Sequence, residues 1–341
     1  MNPIDLRSDT VTKPGKGMLE AMFNAKVGDD VFEEDETVNL LEEKAANLFG
    51  MQAALFCPSG TMTNQIGIKI LTQPGDDVVC DKLSHIYNYE GGGIAFNSGA
   101  SVKLIESSNG IFSAENVLEN INPDNVHFPK TSLVSIENTS NRGGGCCWKI
   151  DKIKAISEIC KQNNLYFHLD GARIFNALVH TGESAKDHGS LFDTISVCLS
   201  KGLGAPAGSL LLGSKESIKK ARRVRKVLGG GMRQAGYLAA AGIYALDNNI
   251  QRLKEDHSRA KTLEQTVREL SFVEEIFPVE TNIIVFRLNE SFKTDLFIEK
   301  LGKNQIKVVP FGKQTVRIVT HLDINDSDID RTITELRKLK I

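Results

Sequence analysis

Residues 193–213 read DTISVCLSKGLGAPAGSLLLG, and the placement of their single lysine decides how the rest of the chain is read. Ile195, Val197 and Leu199 alternate with small or polar residues and stop at Ser200 and Lys201. The pattern predicts a buried strand that ends by delivering Lys201 into a glycine-rich turn. Open α/β sheets keep their chemistry at such strand ends. Beyond Pro206 a second apolar run, residues 209–212, predicts that the chain doubles straight back as another strand. No helix opens after the turn. Gly202, Gly204 and Gly208 are therefore excluded as a dinucleotide fingerprint, which needs a helix N-terminus to receive a pyrophosphate. Alone, Lys201 is either a solvated surface charge or the centre of a site, and the rest of the chain chooses between them.

The chain has 341 residues, enough for about two domains at roughly 150 residues each. With 41 basic and 43 acidic residues the net charge is −2, so no global field argues for nucleic acid. Arg222, Arg223, Arg225 and Lys226 form the densest basic run, which by itself reads as a solvated helix face. Cysteines at 57, 80, 146, 147, 160 and 198 have neither metal-ligand spacing nor the density of a disulfide framework, and read as thiols in a reducing compartment. The first ten residues lack an apolar signal region, and the longest weakly polar run, residues 235–246, is too short to span a bilayer. A soluble, cytoplasmic protein with no membrane partner is expected.

In chain order, residues 4–14 read as an irregular polar arm leading into a helix over 15–25. Val38, Leu41, Ala45 and Leu48 recur at helical spacing behind a cap, and Gly50 stops them. Strand-like runs then follow at 53–57, 76–80, 102–105, 133–137, 165–169 and 194–199, separated by helical patterns such as Ile153, Ile156 and Ile159. With the returning run after Lys201, this predicts a mostly parallel seven-stranded sheet covered on both faces. An alanine-rich helix over 233–246 and a long helix over 250–270 mark the boundary between a large domain, 1–249, and a small C-terminal α+β domain, 250–341. The small domain should hold strands at 282–286, 306–309 and 315–320 and helices at 292–301 and 326–339.

Four constellations carry chemistry. Ser59, Gly60 and Thr61 follow one strand and open a helix, where backbone N–H groups favour an anion, although Ser and Thr also cap helices routinely. Asp170 and Arg173 lie at another strand end. A buried aspartate there needs a partner, either Arg173 in a salt bridge or the ring nitrogen of a cofactor. Ser84 and His85 follow the strand ending at Cys80, with Tyr89 and Glu90 just beyond. Gly229, Gly230 and Gly231 deliver Arg233 to a helix start. A phosphate cradle, a strand-end Asp and a strand-end Lys are the parts that a pyridoxal 5'-phosphate enzyme requires: the lysine holds the aldehyde, the aspartate keeps the ring nitrogen protonated and the cradle fixes the phosphate.

These residues resemble those of the low-specificity L-threonine aldolases, pyridoxal phosphate enzymes of fold type I. The resemblance runs nearly end to end, through DLRSDTVTKP at 5–14, VGDDVF at 27–32, PSGTM at 58–62, SH at 84–85, HFP at 127–129, IENT at 136–139, HLDGARIFNA at 168–177, LSKGLGAP at 199–206, GGGMRQAG at 229–236 and RIVTH at 317–321. It implies that Lys201 binds the cofactor's aldehyde, Asp170 its ring nitrogen and Ser59, Gly60 and Thr61 its phosphate, with His85 stacked on the ring. Arg173 would lie by the phenolic oxygen and the substrate, and Ser8 and Arg317 would grip the substrate carboxylate, with Tyr89 nearby. Arg233 would reach the phosphate of a neighbouring subunit in a dimer or tetramer. The implied reaction is retro-aldol cleavage of an L-β-hydroxy amino acid to glycine and an aldehyde. The base that takes the β-hydroxyl proton stays open among His85, His127 and Glu90 acting through water.

Two departures stand out: Phe32 and Glu33 where many members carry Tyr-Gly, and Lys149 in place of a usual proline after the unusual run Cys146, Cys147, Trp148. The cofactor residues alone leave open an aminotransferase, a hydroxymethyltransferase or a β-lyase. A non-catalytic protein that kept the cofactor site is the other alternative, and Lys201, Asp170, His85 and Arg317 together speak against it.

Overall fold

The structure, a computed structural model, describes residues 2–339. Its strands in chain order are β1 (Ile4–Asp5), β2 (Ala53–Cys57), β3 (Asp77–Asp81), β4 (Ser101–Ile105), β5 (Thr131–Glu137), β6 (Tyr166–Gly171), β7 (Thr194–Cys198), β8 (Ser209–Gly213), β9 (Val273–Ile276), β10 (Ile283–Leu288), β11 (Ile306–Lys307), β12 (Val309–Gly312) and β13 (Thr315–Val319). Seven of them form one sheet in the order β2-β8-β7-β6-β5-β3-β4. All neighbours are parallel except β8, which runs against both β2 and β7. Every residue of β3, β5, β7 and β8 is buried. That burial accounts for their near-continuous apolar runs, because helices cover both faces. The doubling back after Lys201 puts Leu210 opposite Val197 and Leu212 opposite Ile195.

Capping chemistry sets the helix ends that the sequence anticipates. Asp35 accepts the backbone N–H of Val38 at 3.0 Å to start the helix Glu36–Phe49, and Gly50 ends it at φ 64°, where a Cβ would be strained. Ser59 accepts the N–H of Met62 at 3.2 Å to start the helix Gly60–Leu71. Within that helix Gly67 is a packing requirement, since a Cβ there would lie 2.9 Å from His168 Cε1.

Beyond the large sheet, β12-β13-β10-β9 form an antiparallel sheet and β1 pairs with β11 in parallel. The apolar side chains gather into two main cores, and the helix Leu253–Arg268 belongs to both. Leu253 packs with the large-sheet core, whereas Ala260, Leu263 and Val267 pack with the C-terminal one.

Four sequence readings change here. The arm is not merely polar and irregular: Ile4 and Leu6 are fully buried in the C-terminal core, and Ile4 pairs with Ile306. The single strand expected at 306–309 is split, because residues 306–307 pair with this arm while β12 joins the antiparallel sheet. The edge strand β9 gave no usable alternation, having only Val273 and Ile276 as apolar positions. The basic run is not a solvated face. Arg225 is buried, lies 2.8 Å from Asp30 and donates to the Phe56 carbonyl at 2.6 Å, while Arg222 donates to Glu42 at 2.5 Å. Only its outer members, Arg223 and Lys226, face solvent.

The two departures have local explanations. Glu33 adopts φ 62°, a left-handed conformation that glycine takes at no steric cost, and its carboxylate lies 3.4 Å from Arg222. Lys149 occupies the N-cap position of the helix Ile150–Gln162. Trp148 is fully buried, donating its indole N–H to the Glu137 carbonyl at 3.0 Å with its ring edge-on to Phe112 at 5.1 Å. All six cysteines are free and buried, and no helix among the described residues is long and apolar enough to cross a membrane.

Candidate active site

Parallel strands put their carboxyl ends on one edge of the sheet, and there the sequence-derived residues meet. A cavity of about 150 Å³ is lined by Ser59, Gly60, Thr61, Asn64, His85, Glu90, Asp170, Ala172, Ser196, Cys198, Ser200 and Lys201. The turn after β2 supplies Ser59 and the helix start, the segment after β3 supplies His85 and Glu90, β6 carries Asp170 one residue before its end, and the turn after β7 supplies Lys201. That turn is pinned through the Lys201 carbonyl, which accepts from the Thr12 hydroxyl at 3.0 Å and from the Gly204 N–H at 2.8 Å. The Lys201 ammonium itself has no hydrogen bond or ion pair among the described residues.

Asn64 organises the floor of the cavity. Its amide nitrogen donates to Asp170 at 3.0 Å and to Glu90 at 2.9 Å, and its amide oxygen lies 3.2 Å from His168 Nε2. Two carboxylates fix which end of the amide is nitrogen. The oxygen then requires a proton on His168 Nε2, so Nδ1 accepts from the Thr194 hydroxyl at 2.8 Å. Burial pushes His168 down to about 4, so it stays neutral despite Asp170. Asp170 takes a second N–H from Ala172 at 3.1 Å and holds an acceptor face toward the cavity. The salt bridge between Asp170 and Arg173 that the sequence offered as its alternative is not formed, because Arg173 turns to Asp9.

His85 experiences the opposite balance from His168. Burial opposes its charged form, but the bond from Nδ1 to Glu90 at 3.0 Å and the charges of Asp170, Glu90 and Glu137 outweigh it and raise its pKa. The Tyr89 ring lies 5.6 Å from the His85 ring and is half exposed. Glu90 is buried and also accepts from Gln65 at 2.6 Å.

Arg173 and Asp9 form a buried fork, with Nε and Nη2 each 2.7 Å from a carboxylate oxygen, and Asn282 adds a bond to Asp9 at 3.3 Å. Burial alone would raise Asp9, yet the charge and hydrogen bonds of Arg173, the charge of Lys201 and the Asn282 bond bring it well below the usual carboxylate range. Arg317, on β13, donates Nη1 to Asn141 Oδ1 at 2.9 Å and Nη2 to the Arg7 carbonyl at 3.0 Å. Its Nε is buried without a partner. Burial, with Arg173 nearby, lowers this guanidinium to about 10. The neighbouring Ser8 hydroxyl accepts from the Thr10 N–H at 3.3 Å. An unpartnered buried guanidinium donor suits an anionic group such as a carboxylate.

Six expected residues lie outside the cavity lining: Ser8, Tyr89, Arg173 and Arg317, described above, and His127 and Arg233. His127 sits on an exposed turn, its backbone N–H donating to Asn125 at 3.0 Å. Arg233 is half exposed and lies 2.9 Å from Asp29. Sequence reasoning gave no role to Asn64, Asp9, Asn141 or Glu137. Asp9 and Asn141 lie in polar loops like many others, but the acidic end of the run at 133–137 was a visible signal. Glu137 is buried, and burial together with Asp170 pushes it up to about 7.

The residues fit pyridoxal 5'-phosphate on the structure's own terms. The lysine ammonium is unpaired, and a carboxylate with capacity to spare lies in the same cavity. A buried Ser209 hydroxyl without a partner lies beside Gly60, so the helix start has a spare donor next to it. His85, Glu90 and Asp170 each offer a ligand atom within 4.8 Å of the others, but Asn64 already donates to both carboxylates, which favours an organic cation over a metal ion.

The model of the beta-eliminating lyase family matches residues 5–291. The low specificity L-threonine aldolase of Escherichia coli strain K12 is 42% identical over 323 residues, covering 94% of this chain and 95% of the relative. The low-specificity L-threonine aldolase of Candida albicans is 40% identical, covering 96% and 87%. Among solved structures, a threonine aldolase from Leishmania major shares the fold with a TM-score of 0.86 at 21% identity, covering 98% and 99%.

The buried fork yields a prediction with a definite sign. A carboxyl held below its unfolded value of about 3.9 adds stability that is present above that pH and is lost as the pH falls toward the folded value. Asp9→Asn should cost about 3–5 kcal/mol at neutral pH by leaving Arg173 without its counter-charge. It should also flatten the decline in stability below about pH 4. Urea unfolding across pH checks both, and a variant as stable as the parent with an unchanged acid decline would contradict them.

Proposed function

Because the chain belongs to the beta-eliminating lyases, and among them to the low-specificity L-threonine aldolases, we propose that it cleaves L-threonine and L-allo-threonine to glycine and acetaldehyde. The observation that carries this reading is the convergence of Lys201, Asp170 and His85 on one cavity, with Arg317 holding a spare buried donor. Other fold type I activities (aminotransferase, hydroxymethyltransferase, β-lyase) are not favoured, since relatives at 39–42% identity over most of the chain are named as aldolases. Pyridoxal 5'-phosphate, when bound, supplies an aldehyde that reacts with an amine and a ring that accepts the electrons of a bond broken at Cα.

The chain's own residues do the rest. Lys201 offers the amine that holds the cofactor and yields its place to the substrate amine. Asp170, oriented by Asn64, keeps a proton on the ring nitrogen. Ser59, Gly60 and Thr61 would hold the phosphate at a helix start, His85 would pack on the ring and Arg173 would stand by the phenolic oxygen. Ser8 and Arg317 would grip the substrate carboxylate and so orient the Cα–Cβ bond for cleavage. His85 takes the β-hydroxyl proton, with Glu90 on its far nitrogen to stabilise the imidazolium. His127 remains the second candidate, and Glu90 through a water the third. Tyr89 borders the substrate beside His85.

Arg233 completes the phosphate site of a second subunit in a dimer or tetramer. Its exposure supports that reading, since the side chain is half exposed while pairing with Asp29 at 2.9 Å. Division into a large domain, 1–249, and a small domain, 250–341, is supported by the two cores, with the arm packed into the second. A cytoplasmic location is supported by six free buried thiols.

Lys201→Ala should lose turnover by several orders of magnitude while pyridoxal phosphate still binds weakly; a purified variant near the parent rate would sink the assignment. Arg233→Ala should weaken cofactor retention and subunit association together. Sedimentation alongside cofactor titration tests this, and normal behaviour in both removes Arg233 from the site.

Stereochemistry gives a further test. Three fixed points at Cα leave one productive hand, so the D-isomers should not react. At Cβ the epimers exchange a methyl and a hydroxyl, a difference worth only about 1–3 kcal/mol in a pocket, so both L-epimers should be cleaved. Kinetics on the four stereoisomers decides: D-cleavage refutes the first argument, and a preference above about a thousandfold between L-epimers refutes the second.

A further inference from the structure

Glu137 ends β5, one strand over from Asp170 and in register with it. A buried carboxylate beside another carboxylate is costly, and a site tolerates one only where its hydrogen bonds require it. Both oxygens of Glu137 are used. Oε2 accepts the backbone N–H of His85 at 2.8 Å, and Oε1 accepts the backbone N–H of Asn141 at 2.9 Å. Asn141 in turn presents Oδ1 to Arg317 Nη1 at 2.9 Å. One side chain thus stands between the histidine on the cavity wall and the arginine that reaches in from β13. Two N–H donors from two separate loops need two acceptor oxygens, which a carboxylate has and an amide lacks.

We propose that Glu137 is a positioning residue that fixes His85 and Arg317 relative to each other, coupling the cofactor face of the site to its substrate-carboxylate face. It touches neither the substrate nor the cofactor. Through His85 it sets where the imidazole lies, and through Asn141 it sets where the guanidinium points. The proposal takes the substrate's identity from the aldolase reading, but the coupling itself is independent of the reaction catalysed.

The charged and titratable groups around Glu137 are Asp170 and Arg173 from β6 and the turn after it, His85 from the segment after β3, Cys80 from β3 and Cys146 from the loop after β5. Among these, Asp170 opposes its ionised form and His85 favours it. Ionised Glu137 also supports the charged form of His85. Both groups therefore place an acid limb on activity: as the pH falls, Glu137 loses acceptor strength and His85 fills with protons.

Glu137→Gln and Asn141→Ala, each assayed as holoenzyme, separate the two branches. Glu137→Gln should weaken both pyridoxal phosphate affinity and equilibrium binding of glycine by about tenfold or more, the cost of a lost charged hydrogen bond. It should raise KM for L-threonine more than it lowers kcat, and move the acid limb of kcat/KM to lower pH. Asn141→Ala should weaken glycine binding and raise KM while leaving cofactor affinity at the parent value. A Glu137→Gln enzyme with parental cofactor affinity, glycine affinity and pH profile overturns the proposal. So does unchanged glycine binding in Asn141→Ala, which decides the matter if Glu137→Gln does not fold. Should the parent bind glycine but fail to cleave threonine, the aldolase reading falls while the binding measurements still judge Glu137.

Discussion

The fork between Arg173 and Asp9 is the interaction on which the site depends. Two opposite charges out of water are tolerated only when geometry is good and the remaining polar atoms are satisfied. Here both carboxylate oxygens receive guanidinium bonds at 2.7 Å, and Asn282 adds a third. The three residues come from three parts of the fold: the arm, the end of β6 and the segment leading into β10. Fixing Asp9 also places Ser8 and the Arg7 carbonyl, the latter 3.0 Å from Arg317. The corner where the arm meets β13 is thus assembled by a pair of buried charges.

Around that anchor the site is a balance of unlike charges in a poorly solvated space. Hydrogen bonds from Asn64, Gln65, Ala172, His85 and Asn141 hold the carboxylates of Asp170, Glu90 and Glu137 in place. The two histidines show how finely this is set. His168, closed in with Thr194 and Asn64, is driven to its neutral form by burial. His85 keeps a carboxylate partner and is shifted toward its charged form. Environment alone separates their roles, one structural and one suited to proton transfer. Donors held in place before the substrate arrives need no reorganisation during the reaction.

Much of the fold was legible because its determinants are local. The alternation ending at Lys201, the glycine turn and the returning run are contained within residues 193–213, and short apolar runs between helical patterns identified all seven strands of the large sheet. The expected residues that line the cavity were legible for the same reason. Each sits at a strand end or a helix start, and those positions are written in the few residues around them: Ser59 before an apolar helix, Asp170 after a buried run, His85 after Cys80. Family resemblance added the roles of Ser8, Arg233 and Arg317, which no local pattern assigns.

By itself, then, the sequence determined the alternating architecture, the lysine at a strand end and the cofactor class that its companions suit, because hydrophobic periodicity and turn chemistry act over a few residues. Only the tertiary structure decided the destinations. Asp9 meets Arg173 across 164 residues and Asn282 across 273. Arg225 leaves an apparently solvated run to reach Asp30 and Phe56. Ile4 finds its strand partner at Ile306, and Glu137 gains its place between His85 and Asn141. A charged or polar residue carries no mark of which distant group will satisfy it. Its partner is fixed only when the apolar core closes and removes the water that would otherwise have served.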